Sequence, residues 1–154
     1  MIKTKKLQKH YDDRGWLMEC MRPDWKEFEK FGQAYITSAY PGVVKGWHYH
    51  KKQVDNFICI KGNIKLVITK DKKTFHEYYM NAKNPTMVQI PKNHWHGFRA
   101  LGFETATIIN IPSNTYNYLK PDETRVSWDS FDYDWGIGGL YGKVCKIIRK
   151  IIKR

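Results

Sequence analysis

Long apolar runs are missing from this 154-residue chain. No stretch approaches the roughly 18 consecutive apolar residues that a membrane span needs, so no spanning helix is expected. The opening MIKTKKLQKHYDDRG carries charges but no apolar segment, which argues against a secretory signal. Cysteine is scarce. Cys20, Cys59 and Cys145 are odd in number and far apart, a pattern of reduced thiols in a cytoplasm rather than of a disulfide framework. Acid is also in short supply: 15 Asp and Glu stand against 27 Lys and Arg, a formal charge of +12. A basic protein attracts anions, but the excess is uneven. The last twelve residues, KVCKIIRKIIKR, hold six basic groups and no acid. The remainder is only mildly basic, which weighs against nucleic acid as a partner. Internal repeats and low-complexity linkers are absent too.

What is present is enough for a core. Apolar residues make up 42% and aromatics 15% of a length that suits one domain, so wholesale disorder is excluded. Between about residues 33 and 112 the chain reads as short strands broken by turn residues. QAYITSAY stops at Pro41-Gly42, and DNFICI stops at Lys61-Gly62. In NIKLVITK, Ile64, Leu66 and Ile68 alternate with Lys65 and Thr69, the period of a strand with one buried face. TMVQIP and FETATIINIP are β-branched and end at prolines. The expected fold class is all-β, a jelly-roll barrel. Helical period appears only near the end, where Val144, Ile147, Ile148, Ile151 and Ile152 share a face opposite Lys143, Lys146, Lys150 and Lys153. The expected division is a barrel domain over 1–138 and a basic amphipathic helix over 139–154.

The chemistry concentrates in GVVKGWHYHKKQVDNFICIKG. On a strand, His48 and His50 face one way, and Asp55 follows five residues later. With His96 further on, three imidazoles and a carboxylate form a possible ligand set for a divalent metal such as zinc, iron or manganese. The bland alternative is a group of satisfied polar residues in a barrel without metal.

These spacings resemble the two motifs of the cupin superfamily. Gly42, His48, His50, Asp55 and Gly62 match the first, with Asp for the usual Glu. Pro91 and His96 of IPKNHWHGF match the second, with Asn93 at the usual Gly. DDRGWLME, GVVKGWHYH, IPKNHWHGF and YNYLKPDETRVSWD are together similar to segments of the dTDP-4-dehydrorhamnose 3,5-epimerases over residues 12 to 135. The resemblance implies His48 as catalytic base and Tyr118 as acid, with Tyr116 as the fallback. It implies Lys45, Gln33, Gln53, His50 and His96 as substrate-binding residues, and a homodimer. Asp55 stands where the family has an active-site lysine. The family's aspartate partner of the base has no clear match, and Asp129, Asp132 and Asp134 are the candidates. No cofactor is favoured, because a metal held by His48, His50, Asp55 and His96 would occupy the lone pair that His48 needs as a base.

The reaction so implied is epimerisation beside the carbonyl of a 4-keto-6-deoxy nucleotide sugar in surface polysaccharide synthesis. HYHK is also similar to an element of sugar-nucleotide 3,4-ketoisomerases. A metal-binding cupin that does other chemistry or only binds a sugar, and a non-catalytic basic protein whose tail docks on nucleic acid or a membrane, are the remaining readings. Trp16, Trp47, Trp95 and Trp128 lie in the matched motifs, with core packing as the expected role for each. Expected localisation is cytoplasmic, with membrane contact possible through the tail.

Overall fold

The computed structural model describes residues 1–152. Its strands are β1 (Lys3–Lys6), β2 (Lys9–Asp12), β3 (Gly15–Met18), β4 (Tyr35–Ala39), β5 (Val44–Tyr49), β6 (Asp55–Lys61), β7 (Asn63–Thr69), β8 (His76–Asn81), β9 (Thr86–Ile90), β10 (Trp95–Leu101), β11 (Ala106–Asn110) and β12 (Thr124–Arg125). A single helix among the described residues, α1, spans Gly139–Ile152. Two five-stranded antiparallel sheets face each other, in the orders β1-β9-β6-β11-β4 and β12-β5-β10-β7-β8, and β2-β3 form a separate hairpin. This is the expected jelly roll. Strands before residue 33 were not legible. β1 is KTKK, an edge strand whose lysines suit an unpaired sheet border better than they mark a strand in sequence.

The core lies between the sheets. Ile64, Leu66 and Ile68 of β7 are fully buried there with Phe57, Val88, Ile90, Phe98 and Ile108. Each such side chain contributes about 1.5–3 kcal/mol through removal from water. Gly62 turns β6 into β7 at φ +69°, a conformation L side chains rarely adopt, and a Cβ there would sit 3.1 Å from the Ala106 Cα.

A second cluster lies outside the barrel. Trp47, on the outward side of β5, is buried with Val67 and Trp135. Its ring stacks on Phe131 at 5.0 Å, and the Trp47 and Trp135 indoles both donate to the Trp128 carbonyl at 3.0 Å. Trp47 is therefore core, and it pins the 128–137 segment against the back of the strand that carries His48. Trp16 is exposed on the β2-β3 hairpin.

On α1, Leu140, Ile147 and Ile151 are exposed, at 77%, 59% and 67%. At these three positions the apolar stripe does not pack on the barrel. Lys153 and Arg154 lie outside the described residues.

Candidate active site

One end of the barrel holds a cavity of about 770 Å³, a size suited to a small ligand. It is lined by Gln33, Lys45, His48, His50, Gln53, His96, Tyr116 and Tyr118 among others. Every residue expected to act or bind thus borders one space. Lys45 and His48 are three apart, a spacing that places residues of a regular strand on opposite faces. They share a face because β5 bulges: His96 pairs with His48, but Phe98 pairs with Lys45, so β5 carries one extra residue there. Glycines make room at the bulge. A Cβ on Gly97 would lie 2.8 Å from the Gly46 Cα and 3.0 Å from the Lys45 carbonyl oxygen.

His48 is paired with a residue the sequence reading did not select. Its Nδ1 lies 2.7 Å from Glu123 Oε1. Glu123 precedes β12, which pairs with β5 so that Arg125 is opposite His48. Burial pushes the Glu123 carboxyl up, but hydrogen bonds from His48 and Arg125 outweigh that and bring it down to about 2. An ionised carboxylate only accepts, so Nδ1 carries a proton, and in the neutral imidazole it is Nε2 that keeps the lone pair. Asp129, Asp132 and Asp134 do not fill this role. They fall in the segment pinned by the outer aromatic cluster, and the Asp134 carboxylate accepts from the Gly136 amide. The one local mark of Glu123 in the sequence is the acid pair of KPDETR, which does not by itself link it to His48. Its neighbour Asp122 ties down the turn after β5, accepting from the amides of Lys51, Lys52 and Gln53 at 3.2, 2.8 and 3.1 Å.

The possible ligand set changes as well. His50, Asp55 and His96 are buried and bring one donor atom each within 4.8 Å of the others; His48 is not among them. Asp55 Oδ2 lies 3.5 Å from His50 Nε2 and 3.6 Å from His96 Nε2. His50 Nδ1 donates to the Asp122 carbonyl at 2.5 Å, and His96 Nδ1 faces the His94 carbonyl at 3.4 Å. Burial lowers His96 to about 4, so it is neutral at neutral pH. His50 Nε2, which the Gln53 amide approaches at 3.4 Å, His96 Nε2 and a carboxylate oxygen therefore converge, an arrangement able to share a proton or hold a cation. The donor set fits a divalent ion, which would supply positive charge beside the cavity. Because His48 stands outside this trio, such an ion would leave its Nε2 free, which removes the conflict expected from a four-ligand set.

The remaining residues divide between the cavity and its support. Lys45 Nζ donates to Thr37 Oγ1 at 2.9 Å, and partial burial lowers its pKa. Gln53 gives its amide to Asp55 Oδ1 at 2.8 Å, so it steadies the buried carboxylate as well as bordering the cavity. Gln33 accepts from the Tyr116 amide at 3.2 Å. Tyr118 is 89% exposed at the mouth, its ring edge-on to Tyr116 at 5.0 Å.

A family model described as "Polysaccharide biosynthesis C-terminal domain" matches residues 10–124. The chain belongs to that family. It is 42% identical over 142 residues to the spore coat polysaccharide biosynthesis protein SpsL of Bacillus subtilis, covering 87% of this chain and 94% of the relative. It is 38% identical over 136 residues to the probable low-salt glycan biosynthesis epimerase Agl13 of Haloferax volcanii, covering 83% and 87%. The solved dTDP-4-dehydrorhamnose 3,5-epimerase of Sulfolobus tokodaii superposes with a TM-score of 0.73 at 25% identity, covering 86% of this chain and 80% of that one. The resemblance to dTDP-4-dehydrorhamnose 3,5-epimerases read from the motifs thus extends to the barrel as a whole.

Proposed function

We propose that this chain is a sugar-nucleotide epimerase of polysaccharide biosynthesis, acting beside the carbonyl of a 4-keto-6-deoxy nucleotide sugar. The observation that carries the reading is the His48–Glu123 pair facing the cavity, an imidazole held with its basic nitrogen free. The glycan epimerase and dTDP-sugar epimerase among its relatives support it. A proton beside a ketone is acidic, and an imidazole takes it at neutral pH. His48 Nε2 removes that proton, and the electron pair moves into the carbonyl as an enolate. Tyr118 then gives a proton to the opposite face of the same carbon. Lys45 and Arg125 border the cavity with positive charge for the diphosphate or the enolate. Acceptor and donor are both side chains, so the reaction needs no cofactor.

The acid is tested by substitution. Tyr118→Phe is expected to abolish net inversion while exchange of the substrate's proton on the His48 side continues. A larger inversion defect in Tyr116→Phe would move the acid to Tyr116, whose ring also borders the cavity.

The reading extends to how the enzyme is placed. No described helix is long and apolar enough to cross a membrane. We assign α1 to an anionic membrane surface, because Leu140, Ile147 and Ile151 are exposed beside a run rich in lysine and arginine. We also assign a homodimer, as the family resemblance implies, and a cytoplasmic setting in which Cys20 and Cys59 stay reduced. The full chain should sediment with anionic vesicles at low salt, and a chain ending at Gly139 should not. If both stay in the supernatant the membrane assignment fails, and if the shorter chain alone is monomeric, α1 is a dimer contact instead.

A further inference from the structure

An enolate needs a hydrogen-bond donor or a cation at its oxygen, and Asp55, a carboxylate, cannot be that donor. Tyr35 borders the same cavity as His48. It stands directly across from Asn110 in the β4-β11 ladder, and Asn110 Nδ2 donates to its hydroxyl at 2.8 Å. The orientation of that amide is fixed. Asn110 Oδ1 accepts from the Asn56 backbone N–H at 3.0 Å, so the other amide atom is the nitrogen. Its two hydrogens go to Tyr35 and to Asp55 Oδ1, also at 2.8 Å. The Tyr35 oxygen is therefore an acceptor on the Asn110 side, and its own proton is left to point elsewhere. Among the described residues no side chain accepts it.

We propose that the Tyr35 hydroxyl is a catalytic residue of this site, donating its hydrogen bond to the carbonyl oxygen of the substrate as that oxygen becomes an enolate. The inference rests on the epimerase reading above. In the step, the C–H bond beside the carbonyl breaks and an N–H bond forms at His48 Nε2. The C–H electron pair becomes the enolate π bond, and charge builds on the oxygen that Tyr35 faces. Tyr35 keeps its proton throughout and stabilises the charge as a neutral donor. Burial, the largest influence on the phenol, holds it at about 12, so it remains a donor across the neutral range. The link through Asn110 to Asp55 gives that buried carboxylate a purpose beyond the imidazoles: it takes one amide hydrogen and so leaves the other aimed at Tyr35.

The test compares wild type, Tyr35→Phe and Tyr118→Phe in deuterated water with dTDP- and UDP-linked 4-keto-6-deoxyhexoses, following deuterium uptake beside the carbonyl. Loss of one such donor typically costs about 10²–10³-fold in rate. Tyr35→Phe is expected to slow deuterium uptake by that factor through kcat, with KM and the affinity for dTDP-sugar within about threefold of wild type. Tyr35 is 41% exposed, so phenylalanine should be accommodated, and an unchanged melting temperature checks that. Wild-type uptake with an equally fast Tyr35→Phe overturns the Tyr35 role and leaves the epimerase reading standing. No uptake in wild type with any sugar overturns that reading, and the Tyr35 role with it. A defect confined to KM or to the melting temperature makes Tyr35 a packing residue and refutes the proposal.

Discussion

Replacing His48 by asparagine should slow removal of the substrate proton by about 10²–10⁴-fold, the usual contribution of one general base. Asparagine retains a polar side chain of similar reach but has no basic nitrogen. His48 is neither part of the barrel core nor of the buried His50–Asp55–His96 trio. Its loss should therefore leave the fold intact, with the melting temperature within a few degrees of wild type. The decisive readout is isotope exchange in single turnovers, because it follows the base alone and not product release. A variant that exchanges as fast as wild type would show that the proton goes elsewhere.

Glu123→Gln is expected to have the second-largest effect. The carboxylate accepts the His48 Nδ1 proton and so fixes which nitrogen is basic. Glutamine keeps the size but can offer an N–H toward Nδ1, which favours the tautomer whose basic nitrogen points away from the cavity. Substitutions of this kind in other imidazole–carboxylate pairs reduce kcat by up to about 10⁴-fold. We expect a loss of about 10²–10³-fold here, with substrate affinity little changed. The same variant has a pH signature. The folded carboxyl sits at about 2, below its ordinary 4.5. A depressed carboxyl stabilises the fold above its unfolded value, and that contribution is lost as pH falls toward the folded value. Wild type should therefore lose melting temperature between about pH 4.5 and 2 more steeply than Glu123→Gln. Parallel curves would mean that the pair contributes nothing to the fold.

The jelly roll was legible because Ile64, Leu66 and Ile68 of β7 recur at period two and because turn residues close most strands, but the single buried face read there was wrong: Lys65, Val67 and Thr69 on the other face are buried as well, Val67 beneath the outer aromatic cluster. The histidine spacing was legible for the same reason, since period-2 geometry puts His48 and His50 on one side. The bulge in β5 was not. Nothing in VKGWHY marks the extra residue except Gly46, whose purpose depends on Gly97 across the ladder. Glu123 was hidden by distance: it lies 75 residues from His48, and only the β12-β5 pairing brings it there. Tyr35 was hidden for a similar reason. Its significance comes from the cross-strand Asn110 and from an amide orientation set by the Asn56 backbone, neither of which leaves a mark in the residues around Tyr35.

The central claim, proton removal and return on a 4-keto nucleotide sugar, is tested most directly by incubating the full chain with dTDP- and UDP-linked 4-keto-6-deoxyhexoses in deuterated water, with and without a chelator, and locating deuterium by NMR. The expected result is deuterium on a carbon beside the keto group, inverted configuration there, and a rate the chelator does not change. Deuterium accompanied by migration of the carbonyl would identify a ketoisomerase. Activity lost with the chelator and restored by a divalent ion would place a required metal at His50, Asp55 and His96. Unlabelled, unchanged sugars throughout would contradict the account.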